Sequence, residues 1–213
     1  MGLRRKVFVF LVLSMAGQIA VLLLVSHLVL LDGFALIEIR NVEQDASRVV
    51  AAGAAEVAKL EAIAVDWAAW DDTMAFVQGQ DPDYAGINLE PVALVNLGVN
   101  FMYFFDASGA VAHISAVSLD SGEAIDPDPA IMAALELAPA MVRPQTIEEH
   151  VSGLISIEKQ WALVASHPIV SSAYEGPVAG ALVVGRFLDD VLLAELSERV
   201  LLNISVYPYD DSS

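Results

Sequence analysis

The sequence contains no cysteine, which excludes a disulfide framework, a thiolate zinc site and a lipoprotein anchor. It is also poor in positive charge, with ten Lys and Arg against 28 Asp and Glu. Beyond Leu31 all 28 acidic residues remain, with seven basic ones. Because such a surface repels nucleic acid and no basic patch offsets it, we expect no nucleic-acid partner.

Motifs of catalysis are also missing. The four histidines have no metal-ligand spacing, and no nucleophile elbow, phosphate-binding glycine loop or dinucleotide fingerprint occurs. Adjacent aspartates such as Asp71 and Asp72 point apart on a helix and are poor acid–base partners. We therefore predict no catalytic residue, no metal and no cofactor, and we expect that the chain is not an enzyme.

One long apolar run dominates the N-terminus. Residues 1–6 contain Arg4, Arg5 and Lys6, and residues 7–31 are almost wholly apolar. A cleaved signal peptide has an apolar region of about 7–15 residues, so the longer run predicts an uncleaved transmembrane helix. The basic cluster before it places residues 1–6 in the cytoplasm. We expect a single-pass protein of the inner (plasma) membrane, in contact with the lipid bilayer, whose main domain is extracytoplasmic.

A helical pattern without proline follows from residue 32 to residue 77. Its seam alternates steps of four and three, and holds Val42, Ala46, Val49, Leu60 and Ile63 before the tryptophans. This predicts one continuous helix, with residues 32–60 as a stalk and the second half packed on a sheet. The stalk either pairs with a second copy, as a homodimer, or remains a single helix.

The pattern changes to short strands after residue 98. Residues 99–105 and 111–117 flank a turn and predict a hairpin. A short helix (129–137), strands (154–157, 161–167, 178–187), a helix from Asp189 and a closing strand (202–207) follow. The order predicts an α+β domain over 61–207, an antiparallel sheet with helices on one side of the kind seen in extracellular PAS-like sensors. Residues 208–213 form a tail.

The stretch from Asp66 to Thr73 holds two tryptophans among acidic residues. Two interpretations stand: both indoles are core, or one of them lines a ligand pocket. Arg186 ends an apolar strand and either binds a ligand carboxylate or pairs with an aspartate such as Asp71 or Asp189. The ligand-binding candidates, which we expect to lie close together, are Trp67, Trp70, Asp71, Tyr103, His167 and Arg186.

These residues resemble a known family. Asp66-Trp67, Trp70-Asp71-Asp72-Thr73 and Gly185-Arg186-Phe187 are similar to motifs of the fourth class of CHASE domains, which are extracellular sensory modules of the PAS/Cache type. Asn100, Phe76, Pro168–Ser171, Gly176-Pro177 and Gly180 fit the same pattern, which covers roughly residues 60–205.

The resemblance implies a ligand-sensing domain between two membrane spans. The cytoplasmic output would be a diguanylate cyclase, a phosphodiesterase or a kinase. The sequence ends at Ser213 with neither a second span nor an effector, so we expect either the first part of a longer receptor or a stand-alone remnant. The resulting hypothesis is a membrane-anchored sensor for a small molecule whose conformational signal crosses the membrane. The alternative is an anchored structural or protein-interaction domain without a small ligand.

Overall fold

The structure is a computed structural model that describes residues 2–158 and 160–206, with side-chain surroundings for all of these except residues 28–41. It divides into two compact units, Met1–Arg48 and Val49–Ser213. Among the described residues the helices are α1 Leu3–Ala68, α2 Asp71–Val77, α3 Tyr84–Asn88, α4 Pro91–Leu97, α5 Pro129–Glu136, α6 Pro139–Val142 and α7 Asp190–Val200. The strands are β1 Phe101–Asp106, β2 Val111–Ala116, β3 Val151–Ile157, β4 Gln160–Ile169 and β5 Gly180–Phe187.

The first unit is the helical segment of α1 up to Arg48. Residues Leu3–His27 have a mean hydropathy of 2.6 and are long and apolar enough to cross a membrane. Their side chains are exposed throughout, as expected for a segment that packs against lipid. The last four residues of the predicted span, 28–31, lie outside the described side chains. Near the end of the unit, Arg48 pairs with Asp45 one helical turn earlier.

The second unit is built on a five-stranded antiparallel sheet in the order β2-β1-β5-β4-β3. The predicted hairpin is present as β1 and β2, and Asp106 fixes its turn by accepting hydrogen bonds from the backbone of Ser108 and Ala110. Strand β5 lies at the centre of the sheet. This confirms the predicted α+β class with an antiparallel sheet and flanking helices.

Helices cover both faces of the sheet, so the prediction of helices on one side was wrong. Met102, Phe104 and Val184 point to the face that packs against α1, α2, α4 and α7. Tyr103 and Val183, their neighbours along the strands, point to the opposite face, against α5 and α6. The central strands are therefore apolar on both faces, and their near-continuous hydrophobic runs reflect double burial.

Two glycines of the resemblance motif lie where strands pack tightly. A Cβ atom on Gly185 would overlap the ring of Phe101, and one on Gly180 would overlap the backbone carbonyl of Phe105. Asn100 holds the same region together, since its Oδ1 accepts from the Phe187 amide at 2.9 Å and its backbone amide donates to the Gly185 carbonyl at 2.8 Å. These residues serve the packing of the central strands.

The predicted continuous helix from 32 to 77 is interrupted, so this prediction was wrong at its end. Helix α1 stops at Ala68, and α2 begins at Asp71 after Trp70, which has the extended backbone φ −129°, ψ 131°. No proline or glycine is present there. Instead the Val170 amide donates to the Ala68 carbonyl at 3.1 Å, and this tertiary bond replaces a helical one.

The contact stripe of α1 also differs from the predicted seam. The fully buried positions are four apart: Ala52, Glu56, Leu60, Ala64 and Ala68. The predicted seam positions Val49, Ile63 and Trp67 are only partly buried at the edge of this stripe. Buried residues that are always four apart form a stripe that winds slowly around the helix axis. Such a stripe suits a helix that crosses a twisted sheet obliquely.

Other local predictions need correction. The segment from Gln78 to Pro91, predicted as a loop, contains α3, and α4 follows it. The predicted closing strand is absent, because residues 202–206 have no strand structure and Tyr207 lies outside the described residues. The segment instead folds back on α7: the Ile204 amide donates to Ser197 Oγ at 3.0 Å and the Leu202 amide to the Ser197 carbonyl at 3.1 Å.

Candidate functional site

The tryptophan–aspartate motif forms the corner between α1 and α2. Asp71 Oδ1 accepts a hydrogen bond from the Ser172 amide at 3.0 Å, and the Asp71 amide donates to Ser172 Oγ at 3.2 Å. Together with the bond from Val170 to Ala68, these contacts attach the corner to the chain just after β4. Asp71 and Asp72 also lie in the first turn of α2, where a negative charge is favourable to the helix dipole.

The two indoles of the motif contact each other and line a surface recess. The rings of Trp67 and Trp70 are perpendicular with centroids 6.4 Å apart, and Trp70 is 38% exposed. Asp66, Trp67, Ala69 and Trp70 line a recess of about 390 Å³. Trp67 packs at the edge of the core, as expected of a core indole. Trp70 contacts solvent, as expected of an indole that lines a pocket.

A buried hydroxyl pair lies under the corner. Thr73 Oγ1 and Tyr84 Oη are 2.6 Å apart, and both side chains are fully buried. Burial raises the pKa of Tyr84 to about 12; the bond to Thr73 opposes this rise, and the nearby charges of Asp72 and Asp81 add to it. The tyrosine therefore remains a neutral hydrogen-bonding group that positions α2 against α3.

A buried carboxylate, Glu56, holds a cluster of charges between α1, β5 and α7. Glu56 is 3% exposed and accepts hydrogen bonds from Lys59 Nζ at 2.9 Å and from Arg199 Nη1 at 2.6 Å. Arg186 Nη1 lies 3.9 Å from Glu56 Oε2, and Arg186 Nη2 donates to Glu195 Oε2 at 3.1 Å. Burial raises the pKa of Glu56, but the bonds and charges of Lys59 and Arg199 outweigh this and lower its pKa below the usual value.

The partners of Arg186 are glutamates, not the aspartates suggested by the sequence. Asp71 is bonded to Ser172, and Asp189 caps α7 by accepting from the Leu192 amide at 2.8 Å. Arg186 Nε is buried without a hydrogen-bond partner among the described residues. The Arg186 residue borders a small cavity of about 80 Å³ whose other lining residues are Glu56, Lys59, Leu60, Ile63, Leu97, Gly98 and Leu163.

His167 lies in a different cavity, of about 140 Å³, between α1 and strands β3 and β4. The cavity is lined by Glu61, Ala64, Val65, His150, Val151, Ser152, Ser166 and His167. The rings of His150 and His167 stack with centroids 6.1 Å apart at an angle of 19°. Ser152 Oγ donates to Glu61 Oε1, which links α1 to β3.

Tyr103 lies on the opposite face of the sheet from all of these residues. It is buried among the side chains of β1, β5, α5 and α6, with its ring 5.7 Å from that of Phe101. Burial raises its pKa, and the charge of Asp128 adds to the rise. The expectation that Tyr103 is close to the tryptophan motif was wrong, because neighbouring strand residues alternate between faces.

The structure thus brings together only Trp67, Trp70 and Asp71 of the candidate residues, and His167 and Arg186 border two separate cavities. The sequence analysis missed Glu56, Glu61 and His150. A signal for Glu56 was present, since it interrupts the apolar seam of α1 in a chain that has few cations to neutralise it.

The comparison with protein families matches the CHASE4 domain over residues 54–207. The chain belongs to the CHASE4 domain family. CHASE domains are extracellular sensory modules, so the chain carries a sensor domain of signal transduction. The resemblance predicted from the tryptophan–aspartate and Gly185-Arg186-Phe187 motifs is confirmed.

A curated relative supports this assignment. The methanogenesis regulatory histidine kinase FilI of Methanothrix harundinacea (strain 6Ac) is 31% identical to the CHASE4 chain over 160 residues. The match covers 74% of this chain and 18% of the kinase, so the chain spans less than a fifth of the relative's length.

Solved structures of sensor domains are also similar. The periplasmic domain of Vibrio cholerae LuxQ matches with a TM-score of 0.48 and 14% identity, covering 80% of each chain. The sensor domain of E. coli DcuS matches with a TM-score of 0.43 and 15% identity, covering 70% of this chain and 98% of DcuS.

Proposed function

We propose that the chain is the membrane-anchored, extracytoplasmic ligand sensor of a signalling receptor. The single observation that carries the proposal is the CHASE4 match over residues 54–207. The apolar segment Leu3–His27 supports an anchor in the inner (plasma) membrane, and Arg4, Arg5 and Lys6 support a cytoplasmic N-terminus. Because the relative of the same family is a histidine kinase, we propose a kinase-type output beyond the sensor.

The contacts of α1 within the second unit suggest how a signal starts. Residues 52–68 of α1 pack on the sheet through the buried stripe from Ala52 to Ala68, and Glu56 joins the helix to Arg186 of β5 and Arg199 of α7. A small ligand that changes the spacing between α1 and the sheet would displace α1 relative to the sheet. Helices at packed interfaces shift by about 1–2 Å in allosteric transitions, so an Ångström-scale displacement is enough for a signal.

We also propose that α1 pairs with α1 of a second copy in the stalk. Val42 and Ala46 are exposed in the single chain, one turn apart on the predicted seam. In contrast, Leu60 is buried in the chain's own core and is not available to a second copy. The pairing would therefore be confined to the part of the helix before the sensor domain, in parallel orientation.

The sensing role can be tested by a thermal-shift screen of the full chain in detergent micelles against amino acids, organic acids and other small metabolites. The variant Arg186→Gln tests the contacts around Glu56, and Arg143→Gln, which changes an exposed arginine, is the matched control. A compound that stabilises the wild type and the control but not Arg186→Gln supports ligand sensing through Arg186.

The other outcomes of the screen are equally informative. A compound that stabilises all three proteins supports sensing at a different site. If no compound stabilises the wild type, the chain fits the alternative of an anchored structural or protein-interaction domain. If Arg186→Gln melts far below the control without any compound, Arg186 mainly neutralises Glu56 and the anion-binding role is wrong.

A further inference from the structure

The cavity beside His167 is the polar cavity in which side chains from α1, β3 and β4 meet, and its hydrogen bonds define what it can accept. His167 Nδ1 lies 3.1 Å from the Pro168 carbonyl, and His150 Nδ1 lies 3.0 Å from the Glu148 carbonyl. A carbonyl oxygen can only accept, so each Nδ1 carries the proton when its ring is neutral. The Nε2 atoms of both rings are then lone-pair acceptors.

The hydroxyl groups of the cavity have also committed their protons. Ser152 Oγ donates to Glu61 Oε1, and Ser166 Oγ donates to the Met141 carbonyl at 2.6 Å. Each of these serine hydroxyls can now only accept further hydrogen bonds. Glu61 adds a carboxylate, and its Oε2 has no hydrogen-bond partner among the described residues. The polar side chains of the cavity can therefore accept further hydrogen bonds but not donate them. Glu61 adds one negative charge.

From this arrangement we propose that the cavity binds a small primary ammonium group, with Glu61, His150 and His167 as its acceptors. An ammonium group has three N–H donors and one positive charge, which match three acceptors of which one, Glu61, is a carboxylate. The cavity of about 140 Å³ has room for about four or five water molecules. It therefore suits an amine of a few heavy atoms.

The position of the cavity connects it to the proposed sensing role, on which the biological meaning of this inference rests. Glu61 belongs to α1, while Ser152 and His167 belong to β3 and β4. A cation bound between them would draw α1 toward this edge of the sheet. The helix that leads toward the membrane segment would thus contribute one of the ligand's own acceptors.

The protonation state of the rings decides the class of ligand. Burial lowers the pKa of His167; the bond to Pro168 opposes this, and the charge of His150 adds to the lowering. Glu61 from α1 and His150 before β3 are the other titratable groups that line the cavity. His167 is consequently neutral at pH 7 and offers Nε2 as an acceptor. Acidification protonates Nε2, which abolishes the acceptor and favours an anion instead.

The test uses the full chain in lipid nanodiscs, labelled with ¹⁵N-histidine, and methylammonium chloride as the probe. Methylammonium is expected to shift the Nε2 resonances of His150 and His167 at neutral pH and to leave those of His113, which contacts Ser115 outside the cavity, unchanged. Tetramethylammonium, which has the same charge but no N–H donor, is expected to cause no shift. Binding is expected to weaken as the pH falls through the lowered pKa of His167.

Two matched variants test whether the cation binds beside Glu61. Glu61→Gln keeps the shape of the side chain but removes its charge, and is expected to weaken methylammonium binding about tenfold or more, the loss of a charge-assisted hydrogen bond. Glu123→Gln changes an exposed carboxylate far along the chain and is expected to bind like the wild type. If Glu61→Gln fails to fold, the wild-type spectra with methylammonium and tetramethylammonium still show whether the cavity binds an ammonium group.

Three results would overturn the proposal: no Nε2 shift in the wild type, equal shifts with tetramethylammonium, or binding of acetate that strengthens on acidification. If methylammonium does not bind while another metabolite stabilises the chain in the thermal-shift screen, the ammonium site is wrong and the sensing role stands. If methylammonium binds but the anchored domain proves to face the cytoplasm, the site stands and the proposed function fails.

Discussion

At the scale of single residues, the ion pairs of Glu56 connect three secondary-structure elements. A buried carboxylate is tolerated only with partners, and Glu56 has three cations from α1, β5 and α7. The cluster orients three elements at once. Its energetic weight lies in the penalty for breaking it, because Arg186, which is only 15% exposed, would keep its charge in a partly dry environment.

Replacing Glu56 by glutamine should lower the free energy of unfolding by roughly 3 kcal/mol, near the low end for breaking a buried ion pair. The low end applies because Arg199, 43% exposed, regains water while Arg186, 15% exposed, does not. Urea unfolding followed by tryptophan fluorescence measures the loss. Glu195→Gln, which changes a carboxylate that is 49% exposed, is the control and should cost less than about 1 kcal/mol.

The same carboxylate predicts a pH dependence. The pKa of Glu56 is lowered in the folded state from an ordinary value of 4.5, so the cluster's contribution is complete above pH 4.5 and is lost as the pH falls through the folded pKa. The wild type should therefore lose stability in acid more steeply than Glu56→Gln. Parallel stability curves for the two proteins below pH 4.5 would contradict this.

The hydroxyl pair of Thr73 and Tyr84 should behave as a coupled unit. Tyr84→Phe leaves the Thr73 hydroxyl buried without its partner, and Thr73→Val does the same to Tyr84, so each should cost about 1–3 kcal/mol. The double variant removes both polar groups and should cost clearly less than the two single losses together. Denaturant unfolding of the four proteins gives the coupling; strictly additive losses would disprove it.

At the scale of elements, α1 has different surroundings along its length. From Ala52 to Ala68 one stripe is buried on the sheet, whereas the seam residues Val42 and Ala46 are exposed in the single chain. Alanines in the buried stripe allow the helix axis to lie close to the strands. The exposed part before the sensor domain is where a second copy could pair.

Parallel pairing of the stalks predicts a periodic crosslinking pattern. Single cysteines at Ala46 and Val49, on the seam, should form disulfides between copies readily, and cysteines at Arg48 and Val50 should not. Because the chain has no native cysteine, each variant reports on one position. Nonreducing electrophoresis of oxidised membranes reads the result, and uniform crosslinking or none at all would indicate a lone helix.

At the scale of the whole molecule, the acidic domain and the apolar segment with its basic flank predict one orientation. Ser121→Cys places a thiol on an exposed loop of the domain, and Gly2→Cys places one before the apolar segment. A membrane-impermeant thiol reagent should label the first in intact cells and the second only after lysis. The reverse pattern would show that the domain is cytoplasmic.

The features that depend on near neighbours could be predicted from the amino-acid sequence. Apolar length predicts the candidate span, alternation predicts β1 and β2, and the tryptophan–aspartate motif identifies the family. The helices on both faces could not be predicted in this way. The central strands carry apolar side chains on both faces, so their sequence does not show which face a helix covers.

The end of α1 and the neutralisation of its buried charge depend on contacts between distant parts of the chain. Asp71 bonds to Ser172, 101 residues away, and Glu56 to Arg199, 143 residues away. The helix ends at Ala68 because the Val170 amide reaches its carbonyl, and no local breaker marks that position. Hydrogen bonds and ion pairs between distant segments form only once the sheet has brought those segments together, so local periodicity carries no record of them.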